Sequence, residues 1–377
     1  MAGHLQLQTG WRPMPTNSCF LDLSSTTFAY EGSFGDVVSN INWSVPEGGV
    51  HCLVGRSGCG KTTTLRMIGG YEFPSSGEIK VRGQSLNNVP LEKRNIGMVF
   101  QSYALWPHMT VGENIAFGLG VRGIRGKQQR DQVREALAMV RLQGLEDRRP
   151  AQLSGGQQQR IALARAIAPS PTLLMLDEPL GSLDSNLRNS LQIQIRDIVK
   201  KIGVTSIYVT HDRNEALSIA DKIVLMNNGK IIQVGTPNEV FQSPVNIFAA
   251  EFLGHQNIIS GQLQSDSNNI SFDCEFGKVI LSNNITYDLA ANSIIIDTRG
   301  ISLFTKNEAD NIESTDNLYE CTIIGKSFKE RAYEFKIQVN SQILIASFQP
   351  NYWGETPVLD IGQKAYAKIN SEFIYGF

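Results

Sequence analysis

The sequence predicts an α/β domain built around a mostly parallel sheet, followed by a second, all-β domain. Two observations support this prediction. In the first two thirds of the chain, short apolar strands alternate with helical segments, a pattern typical of parallel β/α units. Past about residue 254 short β-branched runs such as KVILS, SIIIDT and ILIASF follow one another, and Asn and Ser become frequent. A length of 377 residues is enough for two to three domains of about 150 residues each.

The predicted elements follow in a clear order. Residues 1–18 are polar and contain prolines, which predicts a flexible N-terminal extension. From residue 19, β-rich segments lead to the apolar strand VHCLV, a glycine loop and a helix. Apolar positions recurring every three or four residues then predict a helical subdomain at about 102–160. The α/β pattern resumes up to residue 254, and residues 255–377 are predicted to form a small barrel or a pair of barrels.

Composition excludes several classes of protein. The net charge of -2 lacks the basic excess of a dedicated nucleic-acid binder. The five cysteines show no CxxC pair, which predicts free thiols in a reducing compartment and no zinc site. No uncharged apolar run approaches the roughly 18 residues of a membrane span, and no secretory signal is recognisable at the N-terminus. We therefore expect a cytosolic chain.

The strongest motif lies between the strand VHCLV and the helix that follows it. It fits G-x-x-x-x-G-K-[ST], in which glycines let backbone N–H groups face phosphates at a helix N-terminus. Lys61 adds a positive charge for the β- and γ-phosphates, and Thr62 can ligate Mg²⁺. This pattern predicts a phosphate-binding loop (P-loop) for ATP. Its predicted binding residues are Gly55, Arg56, Ser57, Gly58, Cys59, Gly60, Lys61, Thr62 and Thr63.

A later apolar strand ends in two adjacent carboxylates. The run LLML leads directly to Asp177 and Glu178. Asp177 is placed to hold Mg²⁺ through water, and Glu178 is placed to orient or deprotonate the attacking water. The alternative interpretation is a pair of solvated carboxylates at a strand end, which would be an unusual surface after so apolar a run.

Residues 153–157, LSGGQ, lie just upstream of this strand and are followed by QQR. With these motifs in this order, the chain closely resembles ATP-binding-cassette (ABC) ATPases from about residue 20 to residue 254. The resemblance implies a P-loop NTPase with a RecA-like core, a β-subdomain and a helical insert. It also implies further site residues: Gln101 as the Q-loop glutamine that touches Mg²⁺ and the water, Asp184 in the D-loop, and His211 as the switch histidine.

Two further residues have competing interpretations. The resemblance places Tyr30 to stack on adenine, but Phe28 and Phe34 are close in sequence, and aromatic residues in β-segments usually pack in cores. Cys59 lies inside the P-loop, where its oxidation could block nucleotide binding. Small residues are usual there, so redox control is a hypothesis beside the simpler structural interpretation.

The signature motif implies a dimer. Its residues can bring backbone N–H groups to a phosphate, yet the P-loop already holds the phosphates. In the family, head-to-tail dimerisation resolves this, because the signature of one subunit closes over the ATP on the P-loop of the other. The residues that would bind ATP in this way are Ser154, Gly155, Gly156 and Gln157.

The segment SYALWPHMTVGENI, residues 102–115, resembles the part of importer ATPases that receives a coupling helix of a membrane permease. Trp106 stands where the family more often has Phe. The alternative is that Tyr103, Leu105 and Trp106 only pack the helical insert. The resemblance implies a homodimer bound to two integral-membrane permease subunits, peripheral on the cytoplasmic face of the inner (plasma) membrane, and served by an extracytoplasmic substrate-binding protein.

The C-terminal third resembles the oligonucleotide-binding-like regulatory (TOBE) domain of the maltose, polyamine and ferric-iron importer group. The segment FLGHQN at 252–257 slightly favours the branch for ions and polyamines, so ferric iron or a polyamine is the favoured cargo. Arg299-Gly300-Ile301 departs from the group, in which Pro-Glu commonly follows the arginine. Neither clustered basic residues nor a stacking platform supports nucleic-acid binding.

Two other function classes compete with the importer ATPase. One is a soluble ABC-type mechanochemical ATPase acting in translation or DNA maintenance, although such proteins usually carry two cassettes or a long coiled-coil insert. The other is a ligand sensor, in which the C-terminal domain binds the transported species and inhibits hydrolysis. The sensor could coexist with the importer.

Overall fold

The computed structural model describes residues 19–32, 35–181, 185–265, 270–282, 292–329, 332–349 and 359–376. The predicted extension 1–18, Phe34 and the D-loop residue Asp184 lie outside these ranges. The chain divides into two compact units, Met1–Pro237 and Asn238–Phe377. The predicted domain boundary at residue 254 rests on composition and on the family pattern, and it stays a prediction.

The first unit contains two sheets and a helical region. Its strands are β1 Cys19–Phe28, β2 Val38–Pro46, β3 Val50–Val54, β4 Ser76–Val81, β5 Gln84–Ser85, β6 Ile96–Val99, β7 Leu173–Asp177, β8 Thr205–Thr210, β9 Lys222–Asn227 and β10 Lys230–Gly235. Its helices are α1 Lys61–Gly69, α2 Val111–Val121, α3 Gly126–Met139, α4 Gly155–Ile167, α5 Ser185–Ile202 and α6 Arg213–Ile219.

The central sheet has the order β10-β9-β3-β8-β7-β6. The neighbours from β9 to β6 run parallel, and β10 adds an antiparallel edge. The residues of β3, β7 and β8 are all buried, as expected for predominantly apolar strands covered on both faces of a parallel sheet. The predicted mostly parallel α/β sheet is confirmed. Its carboxyl edge carries the ends of β3, β6, β7 and β8, after which the motif residues begin.

A second sheet, β2-β1-β4-β5, is antiparallel throughout. Its buried residues Phe20, Leu23 and Ile41 share one apolar core with Leu53 and Leu65 of the central sheet and of α1. The helical region is formed by α2, α3 and α4, which pack on one another, and α4 also contacts β6. These two parts match the β-subdomain and the helical subdomain that the resemblance implies.

The second unit is mainly antiparallel β-structure. Its strands are β11 Asn257–Ser265, β12 Ile270–Cys274, β13 Gly277–Ile280, β14 Ser293–Ile296, β15 Ile301–Phe304, β16 Leu318–Lys329, β17 Ala332–Val339, β18 Gln342–Phe348, β19 Lys364–Ile369 and β20 Ile374–Gly376. They form two sheets, β13-β12-β11-β14-β20 and β15-β19-β16-β17-β18. The short helices are α7 Pro237–Gln242, which begins at the division between the units, α8 Ile247–Leu253 and α9 Lys306–Ala309.

The two sheets of the second unit enclose one core. Phe272 and Ile294 from the first sheet pack with Phe335 and Ile337 from the second. The side chain of Asn257 joins the sheets, because its Nδ2 donates to the carbonyl oxygens of Ile296 (3.0 Å) and Ile345 (2.9 Å) and its Oδ1 accepts from the Ile345 N–H (2.7 Å). A mainly β unit of two packed sheets fits the TOBE-like domain that the resemblance predicts.

Gly300, the first of the two positions that depart from the family pattern, has no room for a side chain. A Cβ atom at Gly300 would lie 2.3 Å from the Cβ of Phe373, closer than side-chain atoms ever approach. Phe373 therefore occupies the space that any larger residue at position 300 would need.

No helix among the described residues is both long and apolar enough to cross a membrane. Within the same ranges, no group of three or more His, Cys, Asp or Glu side chains has the arrangement of a metal cluster.

Candidate active site

The P-loop connects β3 to α1 and leaves the start of the helix open. Gly60 precedes α1 in a left-handed conformation (φ 102°), and no side chain caps the first turn of this helix. A Cβ atom at Gly60 would lie 2.7 Å from the Val37 carbonyl oxygen, and one at Gly55 would lie 2.1 Å from that of Met226. Both positions therefore require glycine. The tip of the loop, Arg56 to Gly58, is exposed.

Lys61 is the buried cation of the loop. Its side chain is 5% exposed, and its Nζ donates to the carbonyl oxygens of Gly55 (2.9 Å) and Arg56 (3.1 Å). The neighbouring Thr63 is also buried. A buried ammonium held by carbonyl oxygens is ready to meet a stronger anionic partner at the mouth of the loop.

Cys59 is buried in the same loop, with its Sγ 3.9 Å from the Lys61 Nζ. Burial raises the pKa of the Cys59 thiol, and the nearby Lys61 only partly opposes this effect. A raised pKa reduces the thiolate fraction that reacts with oxidants. The structural interpretation of Cys59 is therefore favoured over redox control.

Thr62 and Asp177 come together from α1 and the end of β7. The Thr62 hydroxyl donates to Asp177 Oδ1 at 3.1 Å. Burial raises the pKa of Asp177, while the bond from Thr62 opposes the shift. A positive charge beside this carboxylate would favour its ionised form. The hydroxyl and the carboxylate supply the oxygen ligands that Mg²⁺ prefers, so this pair can hold the ion.

Glu178 is the centre of a cluster from three strand ends. Its Oε2 accepts from the Gln101 Nε2 at 3.3 Å, and its Oε1 lies 3.2 Å from the His211 Nδ1. Glu178 has a left-handed backbone (φ 43°), and its N–H donates to the Val209 carbonyl oxygen at 3.0 Å. Non-glycine residues in this conformation occur mainly where a fold must aim a side chain, often at functional sites.

A buried hydrogen-bond network lies behind His211, and sequence reasoning missed it. Glu215 accepts from the hydroxyl groups of Tyr208 and Thr210. Thr210 in turn accepts from the N–H of Asp212 at 3.0 Å. Burial raises the pKa of Glu215, and the bonds from Thr210 and Tyr208 oppose the shift. The network fixes the backbone on both sides of His211. The sequence feature that could have indicated this network is the acid Glu215, four residues after His211 at the end of a strand.

The signature motif begins α4. Ser154 is its N-cap and forms a closed capping box, in which Ser154 Oγ accepts from the Gln157 N–H and Gln157 Oε1 accepts from the Ser154 N–H. This box does not use the N–H groups of Gly155 and Gly156, which follow Ser154 in the first turn of the helix.

Tyr30 follows β1 and is 40% exposed. Its ring meets the ring of buried Phe28 edge to face, with centroids 4.9 Å apart. The core interpretation therefore applies to Phe28, while Tyr30 presents a partly open ring that can stack on a base.

The Q-loop continues into a strained segment. Tyr103 (φ 60°) and Ala104 (φ 47°) are consecutive left-handed residues, and neither is glycine. Each such residue costs about 1 kcal/mol. Arg165 of α4 donates to the carbonyl oxygens of both, at 2.8 and 2.6 Å, and its Cζ lies 5.0 Å from the centroid of the Trp106 ring. Sequence reasoning missed Arg165, because its partners are about sixty positions away along the chain.

The predicted partner segment is partly buried. Tyr103 is buried, while Leu105 and Trp106 are half-buried. The Trp106 ring packs on Phe117, which is 46% exposed, with centroids 4.4 Å apart. The packing alternative thus holds for Tyr103, whereas Trp106 and Phe117 present apolar surface to the outside.

The fold and these contacts define a P-loop ATPase. A family model described as "ABC transporter" matches residues 38–181. The chain is 38% identical over 356 residues to the Fe(3+) ions import ATP-binding protein FbpC of Photorhabdus laumondii, covering 94% of this chain and 96% of that protein. It is 37% identical over 333 residues to the spermidine/putrescine import ATP-binding protein PotA of Trichormus variabilis, covering 85% of this chain and 84% of that protein.

Solved structures agree with these relatives. One is titled as the dimeric, post-hydrolysis state of the ATP-binding cassette MJ0796 bound to ADP and Pi. It shares 30% identity and a TM-score of 0.52, covering 58% of this chain and 98% of that one. Another is cbiO1 from Clostridium perfringens, described as part of the ABC transporter complex cbiONQ. It shares 28% identity and a TM-score of 0.55, covering 59% of this chain and 90% of that one.

The chain therefore belongs to the ATP-binding subunits of ABC importers. It binds and hydrolyses ATP as the energy-coupling subunit of such a transporter, peripheral to the membrane and working with permease subunits. The importer relatives decide against the alternative of a soluble ATPase of translation or DNA maintenance.

Proposed function

We propose that the residues around Glu178 form the hydrolytic centre of an importer ATPase for ferric iron or a polyamine. The observation that carries the proposal is the meeting of Glu178 with Gln101 and His211 beside the P-loop. Three strand ends would not deliver a carboxylate, an amide and an imidazole to one point without a chemical use.

Each residue of the P-loop site has a part in binding. The loop residues Gly55 to Gly60 turn their N–H groups toward the phosphates, and Lys61 exchanges its carbonyl partners for β- and γ-phosphate oxygens. Thr62, Asp177 and Gln101 would hold Mg²⁺, which would supply positive charge to neutralise the phosphates. Thr63 supports the loop from the first turn of α1. Tyr30 stacks on the adenine.

Glu178 acts as the general base. Its carboxylate accepts a proton from the attacking water while the Gln101 amide and the His211 imidazole hold its two oxygens in place. His211 also donates to the γ-phosphate and so senses its presence. Gln101 donates to the carboxylate and would also hold the metal ion, so hydrolysis would change its partners.

The active form is a head-to-tail homodimer. Gly155 and Gly156 of one subunit offer their N–H groups, together with the Ser154 hydroxyl and Gln157, to the ATP on the P-loop of the other. Asp184 of the D-loop belongs to the same interface in the family pattern. The dimeric solved relative bound to ADP and Pi supports this arrangement. Closure then depends on the γ-phosphate, and its loss opens the dimer.

The dimer serves two permease subunits at the cytoplasmic face of the inner (plasma) membrane. The half-buried Trp106 and the exposed Phe117 packed on it support a docking surface for a permease helix, because aromatic side chains on a surface anchor interfaces. An extracytoplasmic binding protein delivers the cargo. Relatives named for ferric iron and for spermidine and putrescine support these two cargoes equally.

The C-terminal unit packs against the C-terminal unit of the second subunit, and ligand sensing is a second role that it can serve.

The test of the catalytic assignment is Glu178→Gln. The variant keeps the shape of Glu178 but not its basicity, so it should bind ATP normally, lose at least about 100-fold in hydrolysis, and accumulate as an ATP-bound dimer. Phosphate release and light scattering with ATP and Mg²⁺ measure these outcomes. Exposed Glu92→Gln is the matched control and should behave like wild type. Hydrolysis by Glu178→Gln above a tenth of wild type would overturn the assignment.

The transporter class is tested by affinity capture of the chain from detergent-solubilised native membranes, followed by mass spectrometry. Co-purification of a polytopic permease supports the importer, and uptake of radiolabelled ferric iron or putrescine by the reconstituted complex then decides between the cargoes. Capture of ribosomes or DNA-repair factors in place of a permease would contradict the proposal.

A further inference from the structure

A single guanidinium connects the signature helix to the Q-loop. The turn Phe100 to Tyr103 is closed by a hydrogen bond from the Tyr103 N–H to the Phe100 carbonyl oxygen at 2.9 Å, which places Gln101 inside the turn. Immediately after it come the left-handed residues Tyr103 and Ala104. Both of their carbonyl oxygens accept from Arg165 of α4.

The far end of the same segment is fixed separately. Asn114 is fully buried in α2, and its side chain bonds both the N–H (2.9 Å) and the carbonyl oxygen (3.2 Å) of Trp106. Arg165 also lies against the Trp106 ring. The segment 101–106 is thus held between Arg165 and Asn114, with Gln101 on Glu178 at one end and the half-buried Trp106 at the other.

We propose that Arg165 is a positioning residue for hydrolysis, which holds segment 101–106 in its left-handed conformation so that Gln101 reaches Glu178. The inference rests on the proposed roles of Gln101 and Glu178. It links the position of α4, which begins with the signature motif, to the hydrolytic centre and to the surface at Trp106.

The chemistry of arginine explains why this residue type is needed. Its planar fork presents parallel N–H groups to two carbonyl oxygens at once, and its face can also lie on an aromatic ring. Burial lowers the pKa of Arg165, but an arginine stays charged under these conditions. Lysine has a point charge and cannot bond both carbonyl oxygens in the same geometry.

The first experiment compares Arg165→Lys with wild type as full-length protein. We expect kcat to fall about tenfold with ATP affinity changed less than twofold, because the P-loop contacts are untouched. Arg122→Lys is the control, since Arg122 also donates to a backbone carbonyl, that of Pro169, away from this segment. Its kcat should stay within twofold of wild type. An equal kcat in Arg165→Lys and wild type would overturn the inference.

A second substitution separates positioning from general support of the fold. Glycine adopts the left-handed conformation without strain, so adding Ala104→Gly to Arg165→Lys should recover most of the lost kcat. A merely structural arginine predicts no recovery, and that result would overturn the inference.

If Arg165→Lys does not fold, Ala104→Val provides the test with Arg165 intact. It adds strain at an exposed position and should lower kcat severalfold, whereas Ala138→Val on the exposed face of α3 should not. Unchanged kcat in Ala104→Val would overturn the inference. Hydrolysis retained by Glu178→Gln would instead overturn the proposed function on which it rests.

Discussion

The helices α1 and α4 both begin at glycine-containing motifs, and their first turns are completed in different ways. At α1 the N-cap is Gly60 and no side chain caps the helix. At α4 the N-cap is Ser154, and a reciprocal capping box with Gln157 satisfies part of the first turn. The start of α1 therefore needs an outside acceptor, whereas the start of α4 is stable as it stands.

The difference shows how one chain can carry two phosphate-binding motifs without their competing. The P-loop is built around buried Lys61, so we expect it to receive the phosphates first. The signature helix has its own cap, so under the proposed function it would meet ATP only when a second subunit brings the nucleotide to Gly155 and Gly156. Binding at the P-loop is thus expected within one chain, and binding at the signature only on dimerisation.

The largest effect is expected from Lys61→Ala, which removes the buried cation at the start of α1. ATP hydrolysis should fall by about 100-fold or more, because the charge on the transferring phosphate loses its closest partner. Calorimetric ATP titration and phosphate release measure the loss. Exposed Lys93→Ala is the control, and activity in Lys61→Ala close to that of this control would contradict the role of the P-loop.

An intermediate effect is expected from Ser154→Ala at the start of α4. Loss of the cap should lower the free energy of unfolding by about 1 kcal/mol. Thr110→Ala is a matched control, since Thr110 forms the same capping box with Glu113 at the start of α2. Both variants should lose similar stability in urea titrations, but Ser154→Ala alone should weaken ATP-dependent dimerisation and hydrolysis. Equal hydrolysis in the two would argue against a signature that acts across the dimer.

The smallest expected effect is a dependence of stability on pH, and it does not involve the start of α1 or the start of α4. The pKa of buried Glu215 is raised above its ordinary value of 4.5, so the folded state holds a proton that the unfolded state releases. The contribution of Glu215 to stability is fully present below pH 4.5, and it is lost as the pH rises through the raised pKa of the folded state. Nearby charges include Asp212, which raises the pKa further, and Arg188, which lowers it.

Glu215→Gln removes this titration and leaves the other groups in place. The free energy of unfolding of wild type should therefore decline relative to Glu215→Gln as pH rises above 4.5. Urea titrations at several pH values measure the difference, with exposed Glu92→Gln as the control. Parallel curves for wild type and Glu215→Gln would show that Glu215 does not titrate in this range.

Sequence reasoning predicted the parts of the site that depend on neighbours along the chain. The P-loop, the carboxylates after β7 and His211 after β8 each follow an apolar strand, and parallel strands bring their carboxyl ends to one edge. The sequence alone does not decide whether Tyr30 or Phe28 is the buried aromatic residue, because burial depends on how the sheet packs. The structure shows Phe28 inside and Tyr30 partly open.

The rest of the site depends on contacts that no local pattern records. The left-handed backbone of Glu178 follows from the packed ends of β7 and β8, not from its own residue type. Arg165 meets Tyr103 and Ala104 only after α4 has packed in the helical region. Similarly, Asn257 is separated from Ile345 by 88 residues, so no sequence window contains the pair.

Asn257 has a mechanical consequence for the C-terminal unit. The chain enters the β-structure of this unit through α7 and α8, and Asn257 is the first residue of β11. Its side chain bonds β14 on one sheet and the edge strand β18 on the other. A force applied to the incoming chain is therefore transmitted to both sheets at the point of entry. We expect this link to oppose the separation of the strands one at a time.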